Sequence, residues 1–338
     1  MGLSLKILRN GLLLKGFFAA QLLLLLCCAA PVIAQDKLRL EDITFLMPAP
    51  PSLVAFAPLT LAADKGYFRQ AGLNVKFIAV GGGAAVGRQL AANNGDLGLG
   101  LGDTPILLRS NGIKIRGVAL LGGRPLHQLV LRQDQNIDDL KELKGKTLTV
   151  LSYQDTSYFA ALAVLASAGL DKNSVAIQAT NANGAWQLVA AGKAAGLVGP
   201  PEWAFYIERE GVKTTTSSTA HYFPGMAQAV LASDDTIAKR PKLVEKFVGA
   251  VLRSLDDIKH DPKAAAKLFV AAQPSYRGQE EEIGKILTFY ADHVYANQKK
   301  TGHFNRDVVA KLQDYYRSKG IIRSSVNVDD LYTNRFIH

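Results

Sequence analysis

Cysteine is all but missing from this chain of 338 residues: Cys27 and Cys28 are the two it has, and both fall within the first 34 positions. The remainder therefore excludes disulfides, thiolate nucleophiles and cysteine-based metal sites. Its six histidines are scattered without ligand spacing, and no Ser/His/Asp set or carboxylate pair stands at a readable spacing, so neither catalysis, a metal nor a cofactor is expected. The glycines do not make a dinucleotide site. Gly98-Leu99-Gly100-Leu101-Gly102 lies in a strand with the wrong spacing for G-x-G-x-x-G, and Gly81-Gly82-Gly83 lacks the final spacing. Short repeats and low-complexity segments are absent after position 34, and so is any apolar run long enough to span a bilayer.

What stands at the start is an export signal. Lys6, Arg9 and Lys15 precede an apolar stretch from Phe17 to Ala30, and Val32-Ile33-Ala34 supplies small residues before Gln35. The stretch is short for a membrane anchor and is broken by Gln21. Residues 1–34 thus read as a signal peptide cleaved near Ala34, which predicts a periplasmic protein. Leu25-Leu26 before Cys27 lacks the small residues of a lipoprotein site, leaving lipidation at Cys28 as the lesser alternative. Three of the 39 basic residues and none of the 29 acidic ones lie in this segment, so the rest carries +7. Its Lys and Arg are interspersed with acids, as in Lys239-Arg240-Pro241-Lys242 before Glu245, which speaks for a solvated surface and against nucleic acid.

About 300 residues exceed what one core organises, so two lobes are expected. Strand and helix patterns alternate from Glu41 onward: strands 43–47, 75–80, 97–101 and 115–121, with an amphipathic helix over 54–71 and glycine-rich turns between. The alternation restarts at Lys146 with strands 147–151, 175–179 and 196–199. Repeated strand, crossover helix and strand predicts α/β lobes, each a mainly parallel sheet flanked by helices. Gln128–Arg132 and Ala227–Ala232 read as two extended hinge strands bracketing the second unit. Lobe one is then 36–126 plus 228–338, and lobe two 127–227.

An ordered series of landmarks accompanies this alternation: Asp64-Lys65-Gly66-Tyr67-Phe68, Gly81-Gly82-Gly83, Gly95-Asp96-Leu97-Gly98, Asp103-Thr104-Pro105, Leu143-Lys144-Gly145-Lys146, Ala168-Gly169-Leu170, and Pro241-Lys242-Leu243-Val244 with Asp261-Pro262-Lys263-Ala264-Ala265. Together they resemble the periplasmic solute-binding proteins of bacterial ABC importers, of the nitrate/sulfonate/taurine and thiamine-precursor type. The resemblance covers nearly the whole chain after the signal. It implies a two-lobed (type II) periplasmic-binding-protein fold, a monomer that captures a small polar or anionic solute between its lobes, and delivery to a permease and ATPase complex in the inner membrane. A heterocyclic, thiamine-pyrimidine-like ligand, or a sensory role, are the alternatives. The related pyrimidine synthases use a Cys-rich iron motif that this chain lacks, which disfavours an enzyme.

Ligands of open α/β sheets bind beyond the carboxyl ends of the strands, where helix N-termini at Gly83, Thr104 and Thr156 would offer N–H groups to an anion. The candidate ligand contacts are accordingly Ser52, Phe56, Gly82, Gly83, Asp103, Thr104, Arg124, Tyr153, Asp155, Thr156, Ser157, Glu202 and Trp203. Ser, Thr and Asp at these positions equally suit helix capping. Asp103, Asp155 and Glu202 sit poorly with a simple anion. Arg124 and His127, at the entry to the first hinge strand, are the basic residues best placed to offset them.

Overall fold

The computed structural model describes residues 40–338; the expected signal segment and its cleavage site lie outside the described residues. Strands β1 (Glu41–Met47), β2 (Leu73–Ala79), β3 (Leu97–Leu101) and β4 (Ile115–Leu120) alternate with helices α1 (Ala57–Asp64), α2 (Tyr67–Gln70), α3 (Gly83–Ala91) and α4 (Thr104–Arg109). The single helix expected over 54–71 is instead a 3-10 turn, α1 and α2, because Gly66 adopts a left-handed φ of 72° and breaks the run.

The chain then leaves this sheet. Strands β5 (Gln128–Arg132), β6 (Thr147–Val150), β7 (Ala176–Ala179), β8 (Gly196–Gly199) and β9 (Thr214–Ser218) are interleaved with α5 (Thr156–Ser167), α6 (Ala182–Ala190) and α7 (Glu202–Arg209). Strand β10 (Gln228–Ser233) returns to the first sheet, and helices α8 (Asp234–Lys239), α9 (Pro241–His260), α10 (Pro262–Ala272), α11 (Glu280–Tyr290) and α12 (Arg306–Ser318) follow it.

The sheets have matching orders, β2-β1-β3-β10-β4 and β7-β6-β8-β5-β9. In each, one strand runs against the rest, and it is the strand that has just crossed over: β5 pairs antiparallel with β8 and β9, β10 with β3 and β4. The result is a two-lobed fold of two mixed five-stranded sheets flanked by helices. The long helices that follow β10 pack back on the first lobe, where Phe247 of α9 stacks on Phe45 of β1 at 4.7 Å and on Phe68 of α2 at 4.8 Å. Among the described residues no helix is long and apolar enough to cross a membrane.

Candidate interlobe site

The carboxyl ends of β1, β3, β6 and β8 meet between the lobes and enclose a cavity of about 50 Å³. Its walls are mostly apolar: Phe56, Leu99, Leu101, Leu126, Leu151, Pro200 and Trp203 contribute, with Gly83 and Gly100 where backbone comes close. Trp203 is only 2% exposed because it lies across Gly199, where any Cβ would meet its ring at 2.3 Å. The polar side chains on the wall are His127, Asp155, Thr156 and Gln228, and no lysine or arginine lines it among the described residues.

Asp155 joins the two lobes. It caps α5, its Oδ1 accepting from Ser157 N at 2.9 Å, while Oδ2 accepts from Gly83 N of the first lobe at 3.2 Å. Beside it Gln154 O accepts from Ala84 N at 3.0 Å, and Ser152 Oγ donates to Gly81 O at 3.0 Å. The first two N–H groups of α3, those of Gly83 and Ala84, are thus already satisfied by the second lobe. Gly82 makes this approach possible: its φ is 128°, and a Cβ there would stand 2.6 Å from Gln154 O.

Glu202 makes a second tie. It is fully buried, Oε1 accepting from Ala55 N at 3.2 Å and Oε2 from the Tyr290 hydroxyl of α11 at 2.6 Å. Burial pushes its carboxyl up to about 7 against the pull of these hydrogen bonds. Asp103, also buried, accepts the Tyr316 hydroxyl proton on Oδ2 while Oδ1 has no partner; burial raises it to about 6. A third tie runs from α12 to α5, where the Tyr315 hydroxyl donates to Ala163 O at 2.8 Å.

His127 and Gln228 occupy the two crossing segments, which are joined by Leu126 N donating to Met226 O at 3.3 Å. The His127 carbonyl accepts from Thr219 N and Oγ1, at 3.2 and 2.9 Å, and so fixes the residue, yet ring atom Nδ1 has no partner. Desolvation lowers this imidazole to about 4, with the Asp155 charge opposing, so it is neutral at pH 7. Gln228 Nε2 donates to Ala55 O at 2.9 Å, which leaves Oε1 buried and unpartnered.

The candidate residues divide accordingly. Phe56, Gly83, Asp155, Thr156 and Trp203 line the cavity, whereas Ser52, Gly82, Asp103, Thr104, Ser157 and Glu202 are not on its wall. Thr104 Oγ1 accepts from Leu101 N and Ser157 Oγ from Leu151 N, each closing its own strand-to-helix turn. Tyr153 is 56% exposed and donates to Ile177 O. Arg124 is exposed outside the cavity, its Nε and Nη2 at 2.6 and 2.7 Å from the side-chain oxygen of Asn297 when that amide is turned to accept. Gln228 had no sequence signal beyond being the lone amide in an apolar return strand.

A profile of the NMT1/THI5-like family matches residues 54–265, from the turn before α1 into α10. The chain belongs to the NMT1/THI5-like family. A curated relative of this NMT1/THI5-like protein is the riboflavin-binding protein RibY of Chloroflexus aurantiacus, 23% identical over 305 residues, which cover 88% of this chain and 86% of the relative. Among solved structures, the alkanesulfonate-binding protein SsuA of Xanthomonas axonopodis pv. citri, bound to MOPS, superimposes with a TM-score of 0.68 at 14% identity, covering 87% of this chain and 98% of that one. The periplasmic nitrate-binding protein NrtA of Synechocystis PCC 6803 gives a TM-score of 0.65 at 12% identity, covering 88% and 87%. The fold is that of the solute-binding proteins of ABC importers, and these relatives are named for binding, not for catalysis.

Proposed function

We propose that this chain is the periplasmic solute-binding component of an ABC-type importer, and that its solute is an uncharged, partly apolar ring compound. On this reading 36–126 with 228–338 and 127–227 move as two bodies about the crossing segments, and the loaded form is handed to a permease and ATPase complex. A ligand site of ordinary size encloses roughly 300–1,000 Å³; the cavity of about 50 Å³ therefore has to widen, and loading parts the Gly83–Asp155 contact.

The observation that carries the choice of solute is the chemistry of the wall. An anion is best held by cations, and the lining holds no lysine or arginine among the described residues; the N–H groups of Gly83 and Ala84 that parting frees lie across from the Asp155 carboxylate. With the lobes parted, the Asp155 carboxylate still stands on that wall and repels an anion. Phe56, Trp203 and the leucines suit the faces of a ring. The riboflavin-binding relative points to the same solute class, while the sulfonate and nitrate binders share only the fold.

A thermal-shift series tests this. Riboflavin, its bare ring lumichrome and an aminopyrimidine should include compounds that raise the melting temperature, because a ligand that binds only the folded state stabilises it by mass action. Taurine, an alkanesulfonate and nitrate should leave it unchanged. Stabilisation by these anions alone would sink the proposal.

A further inference from the structure

We infer that His127 and Gln228 together read the solute's edge, and that the solute presents a ring N–H beside a carbonyl, as a lactam or imide does. The inference rests on the cavity being the solute site. His127 is 4% exposed and Gln228 2% exposed, both line the cavity, and each carries a polar atom with no partner in the protein. Buried polar atoms are ordinarily satisfied, so two unmet ones on one wall call for an occupant.

The chemistry of each atom narrows what the occupant is. Gln228 has its amide orientation set by Nε2 donating to Ala55 O, so its free Oε1 is an acceptor and needs a donor. Neutral imidazole has one N–H and one bare nitrogen, so Nδ1 can serve a carbonyl by donating to it. With His127 as its Nδ1–H tautomer, which the inference assigns, the solute edge that answers both is a donor next to an acceptor. A sulfonate or nitrate has acceptors only and would leave Gln228 Oε1 facing lone pairs. An unsubstituted alkane or aromatic ring would leave both atoms unmet. The pair also sits on the two crossing segments, joined by Leu126 N donating to Met226 O, about which the proposed movement turns.

The test compares parent rings with partners in which the N–H is replaced by N–CH₃: riboflavin and 3-methylriboflavin, uracil and 1,3-dimethyluracil, 2-pyridone and its N-methyl derivative. Titration of the purified full chain, followed by tryptophan fluorescence and by calorimetry, gives a dissociation constant for each. At least one parent should bind about tenfold or more tightly than its methylated partner, the usual effect of leaving a buried acceptor unpaired. Gln228→Met should bring that ratio close to one, whereas Tyr153→Phe should leave it unchanged. Because the ratio compares two ligands on one protein, any general destabilisation by Gln228→Met cancels. Equal binding of parent and methylated rings would overturn the inference and leave the ring-solute reading standing. Binding of none of the parents, with sulfonate or nitrate bound instead, would overturn both.

Discussion

Asp155 Oδ2 accepts the amide proton of Gly83 at 3.2 Å, so a carboxylate from the second lobe occupies the N-terminus of a helix in the first. A helix N-terminus attracts negative charge because its first N–H groups are unpaired and the peptide dipoles align. The protein supplies that charge itself. The same residue is thus an N-cap, an interlobe tie and the source of the wall's negative character.

Replacing Asp155 by Ala should remove the cap of α5 and the tie together. In urea unfolding the variant should lose about 1–3 kcal/mol. Asp155→Asn keeps a capping oxygen and should lose less, while removing the charge that repels anions. A loss in Asp155→Asn equal to that in Asp155→Ala would show that the charge, not the hydrogen bond, carries the effect.

Gly82→Val should be harsher at the interface than within either lobe. Its φ of 128° and the 2.6 Å approach of Gln154 O leave no room for a side chain. Small-angle scattering should record a larger radius of gyration for the variant, with its circular dichroism kept. An unchanged radius would mean that the loops at 81–84 and 152–155 do not hold the lobes together.

Stability should fall as pH rises through neutrality, and Glu202 should be a principal cause. Its folded value of about 7 lies above the ordinary 4.5, so its contribution is fully present below pH 4.5 and is lost as pH rises through about 7. Glu202→Gln can still accept from Ala55 N and reach Tyr290, and it carries no charge. It should match the parent at pH 4.5 and exceed it by on the order of 1–3 kcal/mol at pH 8 in denaturant titrations. His127 acts on the other limb: its folded value of about 4 lies below the ordinary 6.5, so its contribution is present above 6.5 and lost as pH falls through about 4.

Tyr153→Phe and Arg124→Ala should each leave solute affinity within about 0.5 kcal/mol of the parent, as exposed substitutions away from a site do. Tyr153 points to Ile177 O on the surface of the second lobe, and Arg124 lies against Asn297. A tenfold loss in either, measured by calorimetry with the best ring ligand, would move the site toward that residue.

The alternation of apolar runs with glycine-rich turns made the strands and crossover helices of both lobes readable, because buried strands such as β3 and β8 are continuous apolar or glycine segments between turns. Strand β9 escaped because Thr214–Ser218 is a hydroxyl-bearing run with no apolar alternation, held at a sheet edge by pairing with β5 alone. For the site, position in a cleft loop was legible and direction was not. Asp103, Asp155 and Glu202 all follow strand ends, yet Asp155 is the one that lines the cavity; Glu202 turns back to Ala55 and Tyr290, and Asp103 to Tyr316. Those partners lie far off in sequence, so local spacing carries no trace of them. Gln228 shows the same limit, since its amide takes its meaning from the Ala55 carbonyl.

Because β10 sits between β3 and β4, Val230 is the residue that joins Leu99 to Ala119 across the first sheet. Two segments made early in synthesis therefore wait, with strand edges open, until the whole of the second lobe has been translated. Open edges of this kind are where unfinished chains pair with one another. A nascent chain of this topology gains from being kept unfolded until residue 233 has emerged, and any fragment ending before Gln228 should be aggregation-prone, however well its own helices form.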